Sequence, residues 1–172
     1  AGEAWVALKD QGVSRETFER LEGYVSLLDD WRKQMNLIGP KEMDQIWPRH
    51  VMDCAQLLPL VRPDARITDI GSGAGFPGLV LACAAVESGG FVTMVESTGK
   101  KCAFLQAVVS ELSLPARVVN RRIEDAPAET VDFITARALA PLPRLIGYAF
   151  PWLSRGATGL FFKGERWHEE VT

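Results

Sequence analysis

The chain has 172 residues, 47% hydrophobic and 24% charged, with a formal net charge of −3 and a pI near 5.5. That balance belongs to an ordinary soluble domain with enough apolar side chains for a real core. It excludes a molecule drawn to nucleic acid or membrane by its overall field, so any phosphate-binding surface must be a local basic patch. Cys54, Cys83 and Cys102 are odd in number and far apart, which points away from a disulfide framework or a zinc site. Reduced, buried thiols in a cytoplasmic protein are expected instead, with no metal. No apolar run reaches the ~18 residues of a membrane span. The opening residues carry no basic lead followed by an apolar run, so no secretory leader is expected.

Residues 14–35 place Phe18, Leu21, Tyr24, Val25, Leu28, Trp31 and Met35 at helical spacing, with Ser14 as a plausible N-cap. "NLIGP" (Asn36 to Pro40) ends that helix. A second helical region follows, in which Pro48 is tolerable only at a first turn. Val51, Cys54, Ala55 and Leu58 give another helical face, and "PLVRPDA" is a connector.

From residue 66 the rhythm changes to short strands separated by helices. "RITDI" reads as a strand, Phe76 to Val86 as a helix, "GGFVTMVE" as a strand and Thr98 to Leu112 as a helix. "ARVVN", "VDFITARA" and "GATGLFFK" are further strands, with a helix from Pro141 to Leu153 between the last two. Strands joined through helices imply right-handed crossovers and a parallel sheet. The expected fold is α/β, a Rossmann-like doubly wound sheet over residues 63–172 behind a small helical cap over residues 1–62. In such sheets ligands lie beyond the carboxyl ends of the strands, near the switch point.

"DIGSGAGFPG", from Asp69 to Gly78, sits between the first strand and its helix. Glycines there allow positive φ and let backbone N–H groups approach a ligand. Gly73, Gly75 and Gly78 satisfy the dinucleotide spacing G-x-G-x-x-G, which would suit a nicotinamide-dependent oxidoreductase. That register needs the strand to run to about Ser72 and would bury Asp69 unpaired. If the strand ends at Ile70, Asp69 sits at its mouth and the pattern becomes acid-x-G-x-G-x-G, with glycines at 71, 73 and 75. This second pattern resembles the nucleoside loop of S-adenosylmethionine-dependent methyltransferases. A purely structural glycine turn is the third reading. Glu96, closing "FVTMVE", is placed to accept hydrogen bonds from ribose hydroxyls. Ile123 and Glu124, in "NRRIED", fall where an apolar side chain and a backbone amide can meet a base; the same residues could simply start a short helix.

Taken together, "NLIGPKEMDQIWPRHVMDC", "DIGSGAGFPG", "VESTGKKCAFL", "NRRIED", "FITARALAPL" and "FFKG" resemble the bacterial small-subunit rRNA guanine-N7 methyltransferase family, RsmG or GidB. The resemblance spans nearly the whole chain to residue 164. It implies methyl transfer from S-adenosylmethionine to N7 of a guanosine in 16S rRNA, guanine 527 in the family, with the small ribosomal subunit as partner and no membrane. Carried onto this sequence, it implies cofactor contacts from Gly71, Gly73, Phe76, Glu96, Ile123 and Glu124, with Arg137 at the outer edge; the loop pattern adds Asp69 to this set. The family usually has Asp where this chain has Glu96. After "FFKG" it continues through a helix and two further strands, whereas this sequence closes on "ERWHEEVT". Either the chain is shortened there or the sheet holds only five strands, with the final ones missing.

Guanine N7 is unprotonated, so its attack on a methyl group needs no prior proton removal and can rest on placement in a dry pocket. No catalytic acid or base is assigned. The sequence offers only His50 and His168, and a structural role suits His50, beside Arg49, at least as well. An Asn/Asp-Pro-Pro-aromatic motif for exocyclic amines and a strand-end cysteine for pyrimidine C5 are both missing, which favours a ring nitrogen. Arg137 stands at the mouth of the site, where its guanidinium is expected to face the methionine carboxylate or an rRNA phosphate, a surface salt bridge being the alternative. Arg49, Lys100, Lys101, Arg122 and Lys163, with Arg121 and Arg144, gather near the same strand ends and are the expected RNA contacts. A non-catalytic cofactor-binding module that docks on RNA remains the alternative beside the oxidoreductase.

Overall fold

The computed structural model describes residues 2–137, 141–163 and 166–170, with side chains described as far as Phe162. Strands β1 (Arg66–Ile70), β2 (Phe91–Glu96), β3 (Ala116–Asn120), β4 (Phe133–Arg137), β5 (Thr158–Lys163) and β6 (Arg166–Glu170) form one sheet in the order β3-β2-β1-β4-β5-β6. The first five are parallel; β6 pairs antiparallel with β5, Phe162 lying opposite Trp167. The order reverses at β1, so the switch point lies between β1 and β4. Helices α5 (Gly78–Ser88), α6 (Gly99–Glu111) and α7 (Leu142–Leu153) make the crossovers.

Each of β1 to β5 feeds two cores, because successive side chains point to opposite faces. Ile67, Met94 and Leu160 enter one core with Leu79, Cys83, Phe104 and Leu105. Ile70, Val95 and Phe161 enter the other with Leu145, Ala149, Trp152 and Leu153 of α7. The N-terminal helices α1 (Gly2–Asp10), α2 (Arg15–Trp31), α3 (Pro40–Asp44) and α4 (Met52–Ala55) lie on the first face. Leu8, Phe18, Leu21, Tyr24, Leu28 and Val51 join the same apolar cluster as α5 and α6. Residues from the helical segment and from the sheet thus close a common core.

Ser14 caps α2 as its sequence position suggests, accepting from the Thr17 N–H at 3.0 Å. The helix stops at Trp31, four residues before Met35. Pro48 is the third residue of a π-helical segment, Ile46–Val51, and so lies in its first turn, where the missing N–H costs no helical hydrogen bond. Two elements were not expected. Helix α1 has a weak apolar pattern, and β6 makes the sheet six-stranded rather than five-stranded: "ERWHEEVT" alternates too briefly to announce a strand, and its partner β5 supplies the template. Among the described residues no helix is long and apolar enough to cross a membrane.

Candidate functional site

Strand β1 ends at Ile70, and the turn that follows is built by hydrogen bonds. Gly71 N–H donates to the Val95 carbonyl at 2.8 Å, and Gly75 N–H to the Ser72 carbonyl at 2.7 Å. Gly71, Gly73 and Gly75 have φ of 68°, 54° and 100°, a region L side chains rarely adopt. A Cβ on Gly73 would meet only the Gly71 carbonyl, at 3.9 Å, so this backbone faces open space. Gly75 and Gly78 face inward instead. A Cβ on Gly75 would lie 2.8 Å from the Tyr24 hydroxyl, and one on Gly78 would lie 2.7 Å from Asp69 Oδ2 and 2.9 Å from Met94.

Asp69 is fully buried and does not line the cleft, so its expected place at the mouth is corrected. Register explains it: Asp69 lies beside Thr135 on β4 and Met94 on β2. Thr135 Oγ1 donates to Oδ1 at 2.8 Å, while Ser72 Oγ and Gly78 N–H reach Oδ2 at 2.7 and 3.1 Å. Burial pushes its pKa up to about 7, against the lowering effect of those three hydrogen bonds. Asp69 ties the strand, the turn and the start of α5 together from within. The turn is braced from behind as well, since the buried Tyr24 donates its hydroxyl to the Ala74 carbonyl at 2.6 Å.

On the open side, Glu96 spans the turn and the next loop. Its Oε1 accepts from Gly73 N–H at 2.8 Å and its Oε2 from Thr98 N–H at 2.9 Å. Each carboxylate oxygen keeps a second lone pair. Around this clasp opens a cleft of about 740 Å³ that brings together Gly71, Gly73, Glu96, Ile123 and Glu124, all expected at the site. Its rim holds Lys101, Arg121, Arg122 and Arg144. Lys100 and Lys101 also border a neighbouring groove with Arg32 and Lys33, two cations the sequence reading did not include. Arg122 pairs with Glu124 at 3.3 Å.

Arg137 and Phe76 do not line this cleft. Arg137 belongs to a second one, of about 360 Å³, together with Arg49, His50, Asp53, Glu42 and Phe162. Its guanidinium faces a carboxylate of the chain itself, Asp53 of the helical segment, at 3.1 Å, which is the salt-bridge alternative. It also donates to the His50 carbonyl at 3.4 Å and lies 4.7 Å from the centre of the Phe162 ring. Phe76, which follows Gly75 in the turn, has its ring 5.4 Å from His50 and 6.0 Å from the Arg137 guanidinium, both lining the second cleft. Burial, then the Arg137 charge, holds the His50 imidazole below its ordinary 6.5, so the ring is neutral at pH 7. The side chains of Lys163 and His168 lie outside the described residues.

Sequence reasoning took Tyr24 only as one apolar position in a stripe. A phenol among aliphatic side chains was the available signal, because a buried hydroxyl seeks a partner.

Comparison with known proteins agrees with this architecture. Residues 17–172 match the family described as rRNA small subunit methyltransferase G, GidB. A protein named ribosomal RNA small subunit methyltransferase G from Hyphomonas neptunium is 56% identical over 169 residues, covering 98% of this chain and 80% of its own. One of the same name from Paramagnetospirillum magneticum is 48% identical, covering 96% and 80%. Among solved structures, a SAM-dependent methyltransferase from Aquifex aeolicus superposes with a TM-score of 0.52 at 19% identity, covering 78% of this chain and 71% of that one. A putative transferase from Pyrococcus horikoshii gives 0.56 at 20% identity, covering 67% and 44%. At such identities these two structures speak for the fold alone.

Proposed function

This chain belongs to the rRNA small subunit methyltransferase G family, and from that premise we propose that it transfers the methyl group of S-adenosylmethionine to N7 of a guanosine in 16S rRNA of the small ribosomal subunit. The observation that carries the cofactor assignment is the clasp between Glu96 and the Gly73 N–H, 2.8 Å long, at the edge of the larger cleft.

The residues there fit an adenosyl group. Glycine backbone without Cβ atoms forms one wall, so a ligand can approach the main chain closely. Glu96 keeps lone pairs for the two ribose hydroxyls while its backbone bonds fix its orientation. Ile123 offers an apolar side chain to the base, and Glu124 a polar edge beside it. Asp69 acts behind this wall, holding the turn in shape. Bound there, S-adenosylmethionine supplies an electrophilic methyl group, whose carbon–sulfur bond breaks with the electron pair left on sulfur.

An acceptor such as guanine N7 asks little acid–base chemistry of the protein. Its lone pair is free at neutral pH, so the chain must position the base, exclude water and tolerate the positive charge that forms on the purine. The neutral His50 and the ion-paired Arg137 are consistent with that. The basic rim formed by Lys101, Arg121, Arg122 and Arg144, with Lys100 and Arg49 nearby, supplies phosphate contacts that position RNA without reading sequence. Lys163 completes the set of proposed contacts. Cys54, Cys83 and Cys102 are all free and buried, which favours the cytoplasm as the setting.

The oxidoreductase alternative meets a specific obstacle. Gly75 packs against Leu79 and Tyr24, so the glycine whose backbone would have to approach a pyrophosphate in the dinucleotide register faces the core. The test is incorporation of labelled methyl from S-adenosylmethionine into small subunits that lack the modification, followed by nucleoside analysis. 7-Methylguanosine is the expected product. Methylation of another atom would refute the N7 assignment, and cofactor binding without transfer would leave only a binding module.

A further inference from the structure

The second cleft remains to be explained, and its chemistry is specific. We propose that it receives the acceptor purine, turned out of its RNA strand, and that Asp53 reads the guanine by accepting from its N1–H and exocyclic N2–H. This inference rests on the methyl-transfer reading above.

Four observations point there. The cleft is adjacent to the glycine turn through Phe76, which touches both His50 and Arg137. Its volume of about 360 Å³ suits a single base and not a nucleotide chain. Its Arg137 guanidinium, backed by the buried ring of Phe162 4.7 Å away, is a planar cation of the kind on which an unstacked base rests. Finally, Asp53 is oriented by Arg137 at 3.1 Å, with side chains 13% and 25% exposed for Arg137 and Asp53, so the carboxylate is fixed yet still reachable.

A carboxylate accepts, and only guanine among the four RNA bases offers an adjacent ring N–H and exocyclic amine on one edge. Adenine turns an acceptor nitrogen to the same place and would be repelled. The arrangement also favours the reaction. Attack by N7 leaves a positive charge on the purine, which makes N1–H a stronger donor. The contact with Asp53 therefore tightens as the new bond forms, and such differential binding lowers the barrier. Arg137 is in this view a positioning residue that holds Asp53 in place, and Arg49 at the rim is suited to the adjoining phosphate.

The experiment uses small subunits reconstituted with 16S rRNA whose acceptor guanosine is replaced by inosine, which keeps N7 and N1–H but lacks the amine. With the unaltered enzyme, kcat/KM should fall about 10- to 100-fold on inosine, the effect of one hydrogen bond to a charged group. Asp53→Asn should lower kcat on guanosine and shrink the guanosine-to-inosine ratio toward one, while binding of S-adenosylhomocysteine stays within about twofold. Equal rates on guanosine and inosine for the unaltered enzyme would overturn the assignment without any variant. So would a soluble, cofactor-binding Asp53→Asn enzyme that retains the full ratio. Failure to methylate guanosine-containing subunits at all would instead refute the methyl-transfer reading and this inference with it.

Discussion

Tyr24 of the second helix donates its hydroxyl to the carbonyl of Ala74 in the glycine turn, 2.6 Å away and 50 residues along the chain. The ring stands 5.4 Å from Phe76 and 6.4 Å from Phe104, so both ends of the side chain are engaged. Through this contact the N-terminal helices take part in shaping a site made mostly by the sheet.

Tyr24→Phe should keep the ring packing and lose only the hydrogen bond. We expect about 1 kcal/mol less stability by urea unfolding. A several-fold weaker affinity for S-adenosylhomocysteine by calorimetry should accompany it, because the turn is then held from one side. Unchanged affinity would show that the turn keeps its shape without Tyr24.

The buried carboxyl of Asp69 sets a pH dependence. Its pKa is about 7 in the folded protein against an ordinary 3.8, so between these values the folded state binds more protons than the unfolded one. Its contribution to stability is therefore fully present below about pH 4 and is lost as pH rises through 7. Asp69→Asn keeps the shape and still offers an acceptor to Gly78 N–H and a donor to Thr135. It should stay within about 1 kcal/mol of the parent at pH 5, and it should gain relative to the parent at pH 8. Urea unfolding at the two pH values measures both; a parent that gains stability over that interval relative to the variant would contradict the sign.

Two glycines should respond oppositely to alanine. At Gly78 the new methyl would press on Asp69 and Met94, costing about 1–3 kcal/mol by overpacking and loosening the turn. At Gly147, inside α7 and exposed, nothing lies within 4 Å, and replacement should stabilise by up to about 1 kcal/mol. Thermal unfolding of the two variants distinguishes them.

Much of this was legible from residue types alone. The inner parallel strands announce themselves as short apolar runs such as "FVTMVE", buried on both faces, and β1 ends at Ile70 because the glycines begin there. Gly71, Gly73, Glu96, Ile123 and Glu124 converge as their places at strand ends require. What stayed hidden depends on partners distant in sequence. Whether Asp69 faces the cleft or the core is decided by Thr135 and Gly78. Whether Arg137 serves the first cleft or the second is decided by Asp53. Sequence alone puts both residues at the strand mouths, and no local pattern says which neighbours each one meets there. Strand β6 escaped for the same reason: its hydrogen-bonding partner, more than its own composition, defines it.

The two margins of the sheet are finished differently, and this bears on handling the protein. At one margin β3 presents the exposed Arg117 and Asn120, polar groups that discourage another copy from docking there. At the other, the strongly apolar "TGLFFK" is shielded by the antiparallel strip Arg166–Glu170. A recombinant fragment ending at Lys163 would uncover a row of amides and carbonyls flanked by buried aromatics, and it should self-associate.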